Sequence, residues 1–155
     1  MQDTSDYRFK ANWVLVDELA IGNPPRSPKD IGLLVNMGIK SILSLCSIEE
    51  SENKNIQNEI KRYFNHEYSI LPDHKSGRAP SNLEIEDALN KLLLLKKKGP
   101  VFVHCLAAAE RSPIICMKYL MRFMHLDLIT SLEYLRRVNK STNPLKMQLD
   151  SIKFI

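Results

Sequence analysis

Apolar positions along the chain change period several times, and each change marks an element. Val14, Leu15 and Val16 followed by Leu19 and Ile21 predict two short strands broken near Asp17 and Glu18, with Trp13 in the core. Ser27-Pro28 supplies an N-cap and a first helical residue, Ile31, Leu34 and Val35 recur at helical spacing, and Gly38 stops the run. Residues 41–46 then read as a strand, and the acidic stretch from Glu49 through Ile56, Ile60 and Tyr63 reads as a helix. Phe64, Tyr68, Ile70 and Leu71, with polar residues between, predict another strand, which runs into the breaker-rich loop 72–80.

The second half is patterned more strongly. Ser81 and Glu84 form a capping box ahead of Ile85, Ala88, Leu89, Leu92 and Leu93. Lys96, Lys97 and Lys98 complement the dipole where that helix ends at Gly99-Pro100. Val101-Phe102-Val103 is apolar at every position, as a strand buried on both faces requires, and it delivers His104 and Cys105 to its C-terminal end. Ser112-Pro113 opens a helix whose Ile114, Ile115, Met117, Leu120, Met121, Phe123 and Met124 leave few polar positions, so it is largely buried, with Cys116 in the core. Two helices follow, one over 128–138 capped by Asp127 and one from Pro144 to the C-terminus with Leu145, Leu149 and Ile152 inward. Alternating strands and helices predict an α/β fold with a mostly parallel central sheet flanked by helices on both faces. No repeat or linker divides the chain, so one domain over 1–155 is expected, with 1–10 loosely ordered.

Composition narrows the class. With 155 residues, 44% of them hydrophobic and 26% charged, the chain can bury a core without metal or disulfide staples. A net charge of +4 favours anionic substrates mildly and does not argue for nucleic acid. Cys46, Cys105 and Cys116 include no Cys-x-x-Cys pair, so neither a disulfide framework nor a metal site is indicated, and free thiols suggest a reducing, cytoplasmic setting. The polar residues 1–10 hold no signal-like stretch, no run reaches membrane-spanning length, and no cofactor is implied. His66 and His125 lack ligand spacing, and His74 reads as a solvated loop residue.

The segment that carries chemistry is His104-Cys105-Leu106-Ala107-Ala108-Ala109-Glu110-Arg111-Ser112, set between the buried strand and the buried helix. Backbone N–H groups of Leu106, Ala107, Ala108, Ala109, Glu110 and Arg111 can wrap one small anion there, and the helix dipole favours negative charge at the same spot. That field stabilises a thiolate and makes Cys105 a nucleophile. The planar guanidinium of Arg111 can grip two phosphate oxygens in parallel.

His-Cys, five residues, then Arg-Ser resembles the signature of the protein tyrosine phosphatase superfamily, and the compact size resembles its dual-specificity branch. The resemblance extends to Asn143, Pro144 and Gln148. It implies a phosphocysteine mechanism acting on phosphorylated proteins or other phosphate monoesters: Cys105 attacks phosphorus, Asp73 in the upstream loop protonates the leaving oxygen and later activates water, Ser112 eases departure of the thiolate, and His104 orients the loop and tunes Cys105. Asp73 can also be a turn-forming residue after Pro72, with Asp87 and Glu84 as substitutes for the acid. The family usually has Gly where this chain has Ala108, and a Cβ in the left-handed region costs about 1–2 kcal/mol. Inositol lipids are disfavoured, because the loop lacks Lys and Glu110 would repel an additional phosphate if it pointed inward. Parallel strands would also end Cys46 near Cys105, as a redox partner or as an ordinary core residue. The rivals are a phospho-binding pseudophosphatase and a sulfur-transfer domain.

Overall fold

A computed structural model of the chain describes residues 7–154. Five strands, β1 (Ala11–Leu15), β2 (Leu19–Gly22), β3 (Ser41–Ser44), β4 (Asn65–Tyr68) and β5 (Val101–His104), form one sheet in the order β1-β2-β5-β3-β4. β1 and β2 pair antiparallel, and the other three pairings are parallel. Neighbouring residues of a strand point to opposite faces, and the core divides on that rule. Leu19, Ile21, Leu43, Val101 and Val103 face α4 (Asn82–Lys96), α5 (Arg111–Phe123), α6 (Leu128–Val138) and α7 (Lys146–Ile152). Ala20, Ile42 and Phe102 face α1 (Pro28–Asn36) and α3 (Lys54–Tyr63). β5 is central and covered on both sides, which is why none of Val101, Phe102 and Val103 could be polar.

Several elements differ from the sequence expectation for local reasons. The helix expected from Glu49 onwards is two, α2 (Ile48–Ser51) and α3: Glu52 leaves the helical region at φ −130°, and Asn53 Oδ1 accepts from the Ile56 N–H at 2.9 Å to start the second. α5 begins at Arg111 rather than Ser112, and its end is open to solvent at Phe123 and Met124. α7 begins at Lys146 rather than Pro144, because Gln148 Oε1 accepts from the Leu145 N–H at 2.7 Å and closes that end. Leu145 and Val35 are exposed rather than inward, and Trp13 is only partly buried. β4 is shorter than the expected strand: its residues are half or fully exposed, as suits an edge, while Phe64 and Leu71 are buried beyond its ends. Residues 1–6 of the expected loose N-terminus lie outside the described residues. Residues 7–10 are pinned, with the Tyr7 hydroxyl donating to Pro24 O at 2.5 Å and the Lys10 N–H to Asn23 Oδ1 at 2.7 Å.

Parallel pairing sends the C-terminal ends of β2, β3, β4 and β5 to one edge, where open α/β sheets bind ligands. Cys105, Cys46 and the loop bearing Asp73 all leave the sheet there. Among the described residues no helix is long and apolar enough to cross a membrane.

Candidate active site

Residues 105–110 connect β5 to α5, and their carbonyls are fastened on the outside of the bend. Ala108 O accepts from Asn139 Nδ2 at 2.8 Å and from the Ser141 hydroxyl at 2.9 Å, and Ala109 O accepts from the Asn143 N–H at 2.8 Å. The N–H groups of 106–110 donate to no backbone acceptor among the described residues. An anion held there would accept from them and sit at the N-terminus of α5, a thirteen-residue helix. The sharpest point is Ala108, at φ 55°, in the left-handed region that a Cβ opposes. Two hydrogen bonds to its carbonyl, each contributing roughly 0.5–1.5 kcal/mol net, offset that strain.

Cys105 is buried at the base of the bend, its Sγ 3.2 Å from Ser112 Oγ. Arg111 is also buried, and Nη1 reaches Glu50 Oε2 at 3.2 Å and Leu71 O at 3.4 Å. Both contacts use Nη1, so the opposite side of the guanidinium, Nε and Nη2, is left for an anion. A small cleft of about 90 Å³ is shared by Cys105, Leu106, Arg111 and Asp73. Asp73 Oδ1 accepts from the Lys75 N–H at 3.0 Å and thereby caps a one-turn 3-10 helix over His74–Ser76, so the turn-forming role coexists with a place in the cleft. The substitutes lie elsewhere. Glu84 is paired in a fork with Arg78 at 2.7 and 3.0 Å, which holds its carboxyl down at about 2, and Asp87 accepts from Ser69 Oγ and sits near Lys91.

Glu110 does not turn toward the cradle as a free charge. Its Oε1 accepts from the His74 N–H at 3.0 Å, and its Oε2 lies 2.7 Å from His74 Nδ1. His74, expected as a solvated loop residue, is thus tied to the loop 105–110.

On the opposite face of β5 from Cys105, the alternation sets His104 beside Ser44 of β3 and near His66 of β4. Ser44 Oγ is 2.7 Å from Nε2 of each histidine, while His104 Nδ1 is 3.2 Å from Cys105 O. A carbonyl can only accept, so His104 carries its proton on Nδ1; its Nε2 then accepts from Ser44, and His66 Nε2–H donates to the same hydroxyl. His104 therefore touches the cradle through the Cys105 carbonyl, not through the sulfur. Burial pushes His104 down to about 3 and His66 down to about 4, the latter helped by the Lys61 charge. Both values lie below the unfolded one of about 6.5, so as pH falls below it the unfolded chain takes up protons that the folded chain refuses. Stability is then lost down to about 4 and 3, by about 1.4 kcal/mol per pH unit and per histidine. Urea unfolding at pH 7.5 and pH 5 is expected to show this loss before carboxylates such as Glu84 contribute, and His66→Gln, which keeps a donor for Ser44, is expected to remove about half of it. An unchanged slope in the variant would remove His66 from the account.

Cys46 is buried with its Sγ 3.9 Å from His104 Nδ1, and burial pushes its thiol up to about 11. Cys116 lies in the core, and burial pushes its thiol up as well. Asn139, Ser141, Glu50 and Ser44 are contacts of the site that the sequence does not single out as functional. The polar run 139–143 after an amphipathic helix is the one signal that could have marked the first two. Nothing in the local pattern marks Glu50 or Ser44: Ser44 meets His104 through strand pairing, and Glu50 meets Arg111 from α2.

The family described as dual specificity phosphatase, catalytic domain, matches residues 26–153. The chain is similar to dual specificity protein phosphatase 5 of Homo sapiens, 31% identical over 78 residues that make up 50% of this chain and 20% of that protein. It is similar to dual specificity protein phosphatase 1-A of Xenopus laevis, 26% identical over 113 residues, 72% of this chain and 28% of that one. The chain thus spans less than a third of the length of these relatives. In fold it is similar to the crystal structure of Tk-PTP in the active form, with a TM-score of 0.78 and 19% identity over 92% of this chain and 93% of that one.

Proposed function

Since the chain belongs to the dual specificity phosphatase catalytic-domain family, we propose that it hydrolyses phosphate monoesters, with phosphorylated proteins as the substrate class, through a phosphocysteine on Cys105. The observation that carries this reading is the coincidence, in one cleft, of a buried Cys105 3.2 Å from Ser112 Oγ, a buried Arg111, and loop N–H groups with no backbone acceptor among the described residues. In the proposed reaction the thiolate displaces the leaving oxygen from phosphorus, and Arg111 with the loop N–H groups stabilises the charge on the equatorial oxygens. Asp73 gives its proton to the departing oxygen and then takes one from water as that water attacks the phosphocysteine. Ser112 donates to the sulfur as it leaves, and His104 holds the Cys105 carbonyl out of the cradle. Buried free thiols fit a reducing compartment, and we assign a cytoplasmic setting on that basis. The reading is tested by acid-quenched single turnover of an aryl phosphate and a phosphotyrosine peptide, followed by peptide mass spectrometry. A phosphoryl group on the Cys105 peptide is expected; turnover without one at any quench time would reject the covalent mechanism.

Ala108 bears on how fast such a reaction runs. Its φ of 55° strains the loop, and the clasp from Asn139 and Ser141 helps to hold that bend. Ala108→Gly is expected to tighten vanadate up to about tenfold, the equivalent of removing 1–2 kcal/mol of strain from the occupied loop. Equal vanadate affinity and equal turnover in the two proteins would mean that the clasp already compensates the methyl group in full.

A further inference from the structure

We propose that Glu110 is a positioning residue, whose carboxylate latches the turn bearing Asp73 onto the phosphate loop and is itself steadied from α7 by Gln148. The proposal rests on the phosphatase reading of Cys105 and Asp73. Beyond Leu71, the segment that carries Asp73 is held mainly by itself. The Lys75 N–H and the Ser76 hydroxyl bond back to Asp73, and Arg78 pairs with Glu84 at the start of α4. Among the described residues, its hydrogen bonds to the phosphate loop all go to Glu110: the His74 N–H at 3.0 Å and His74 Nδ1 at 2.7 Å.

The chemistry of a carboxylate suits the position. It presents two oxygens and can take both contacts of His74 at once. Oε1 also accepts from Gln148 Nε2 at 2.7 Å, and Gln148 is itself buried and bonded through its other amide atom to the Leu145 N–H. The latch therefore links three separate parts of the chain, and its loop end is the residue next to Asp73. Glu110 immediately precedes Arg111, so one dipeptide holds both the anion site and the proton donor in register. A misplacement of the donor by about 1 Å can cost on the order of a hundredfold.

The test compares Glu110→Ala, His74→Ala and Asp73→Asn, singly and as the Glu110→Ala/Asp73→Asn double variant, on phenyl phosphate and para-nitrophenyl phosphate. These substrates share a shape but differ in how much the leaving oxygen needs a proton. Glu110→Ala is expected to lower kcat on phenyl phosphate about 30-fold and on the nitrophenyl ester less than about threefold, with no further loss on phenyl phosphate when added to Asp73→Asn. His74→Ala, which keeps the backbone contact and alters an exposed side chain, is expected to show the same selectivity at smaller size. Hydrogen exchange at the His74 amide is expected to accelerate in Glu110→Ala and vanadate affinity to stay within a few-fold. Equal losses on both esters, additive with Asp73→Asn, would overturn the latch and leave the phosphatase reading standing, as would unchanged exchange at His74. A wild type that turns over neither ester would overturn the phosphatase reading, and the catalytic role of the latch with it.

Discussion

Cys105→Ser is expected to lose turnover of para-nitrophenyl phosphate by on the order of 10⁴-fold or more while binding inorganic phosphate within a few-fold of wild type. The nucleophile must arrive at phosphorus as an anion. A cysteine thiol is a far stronger acid and a far better nucleophile than a serine hydroxyl, so exchanging sulfur for oxygen removes the anion that the step needs. The substitution changes little else: Oγ can take the place of Sγ beside Ser112, and the carbonyl clasp at Ala108 and Ala109 involves no atom of the side chain. Binding and chemistry therefore separate cleanly in this variant. Steady-state rates beside phosphate titration measure both, and hydrolysis by the serine protein within tenfold of wild type would sink the covalent mechanism.

The second large effect is expected at Asp73. Asp73→Asn should lower turnover of phenyl phosphate by about 10²- to 10⁴-fold, the range for a lost general acid, and by much less for the nitrophenyl ester. This substitution is unusually clean, because the cap and the proposed proton transfer draw on different properties of Asp73. Its Oδ1 caps the 3-10 turn through the Lys75 N–H, and the amide oxygen of Asn can do the same. What the variant lacks is the ability to give up a proton and recover it as a carboxylate. A loss of equal size on both esters would show that the residue shapes the loop and does not protonate the leaving group.

Much of this site could be read from the chain because its parts are contiguous. The strand, the bend and the buried helix around Cys105 and Arg111 follow from apolar periodicity and from nine consecutive residues, and so does the strain at Ala108. Asp73 is marked by a breaker-rich loop and a family resemblance, not by spacing alone. The partners were not legible for a physical reason: they depend on which strands lie side by side and on where distant helices end. Ser44 meets His104 because β3 and β5 pair with those residues in register. Glu50 reaches Arg111 across 61 positions of sequence. In the sequence Glu110 reads as a charge that would repel an additional phosphate if it pointed inward, yet its direction is set by His74 and Gln148, neither of which a local pattern links to it. At the helix ends, propensity failed where side-chain capping decided, as at Asn53 and Gln148.

The clasp on the phosphate loop also sets the order in which the site can be completed. Ala108 O waits for Asn139, 31 positions downstream, and for Ser141, 33 positions downstream. Contacts of that separation close late, since the chain between them must first be ordered. During synthesis Cys105 emerges well before the residues that hold its cradle in shape. Until α6 has docked and the turn after it has closed, the strained bend has no clasp to keep its N–H groups together. The nascent chain thus carries the proposed nucleophile before it carries an organised loop around it.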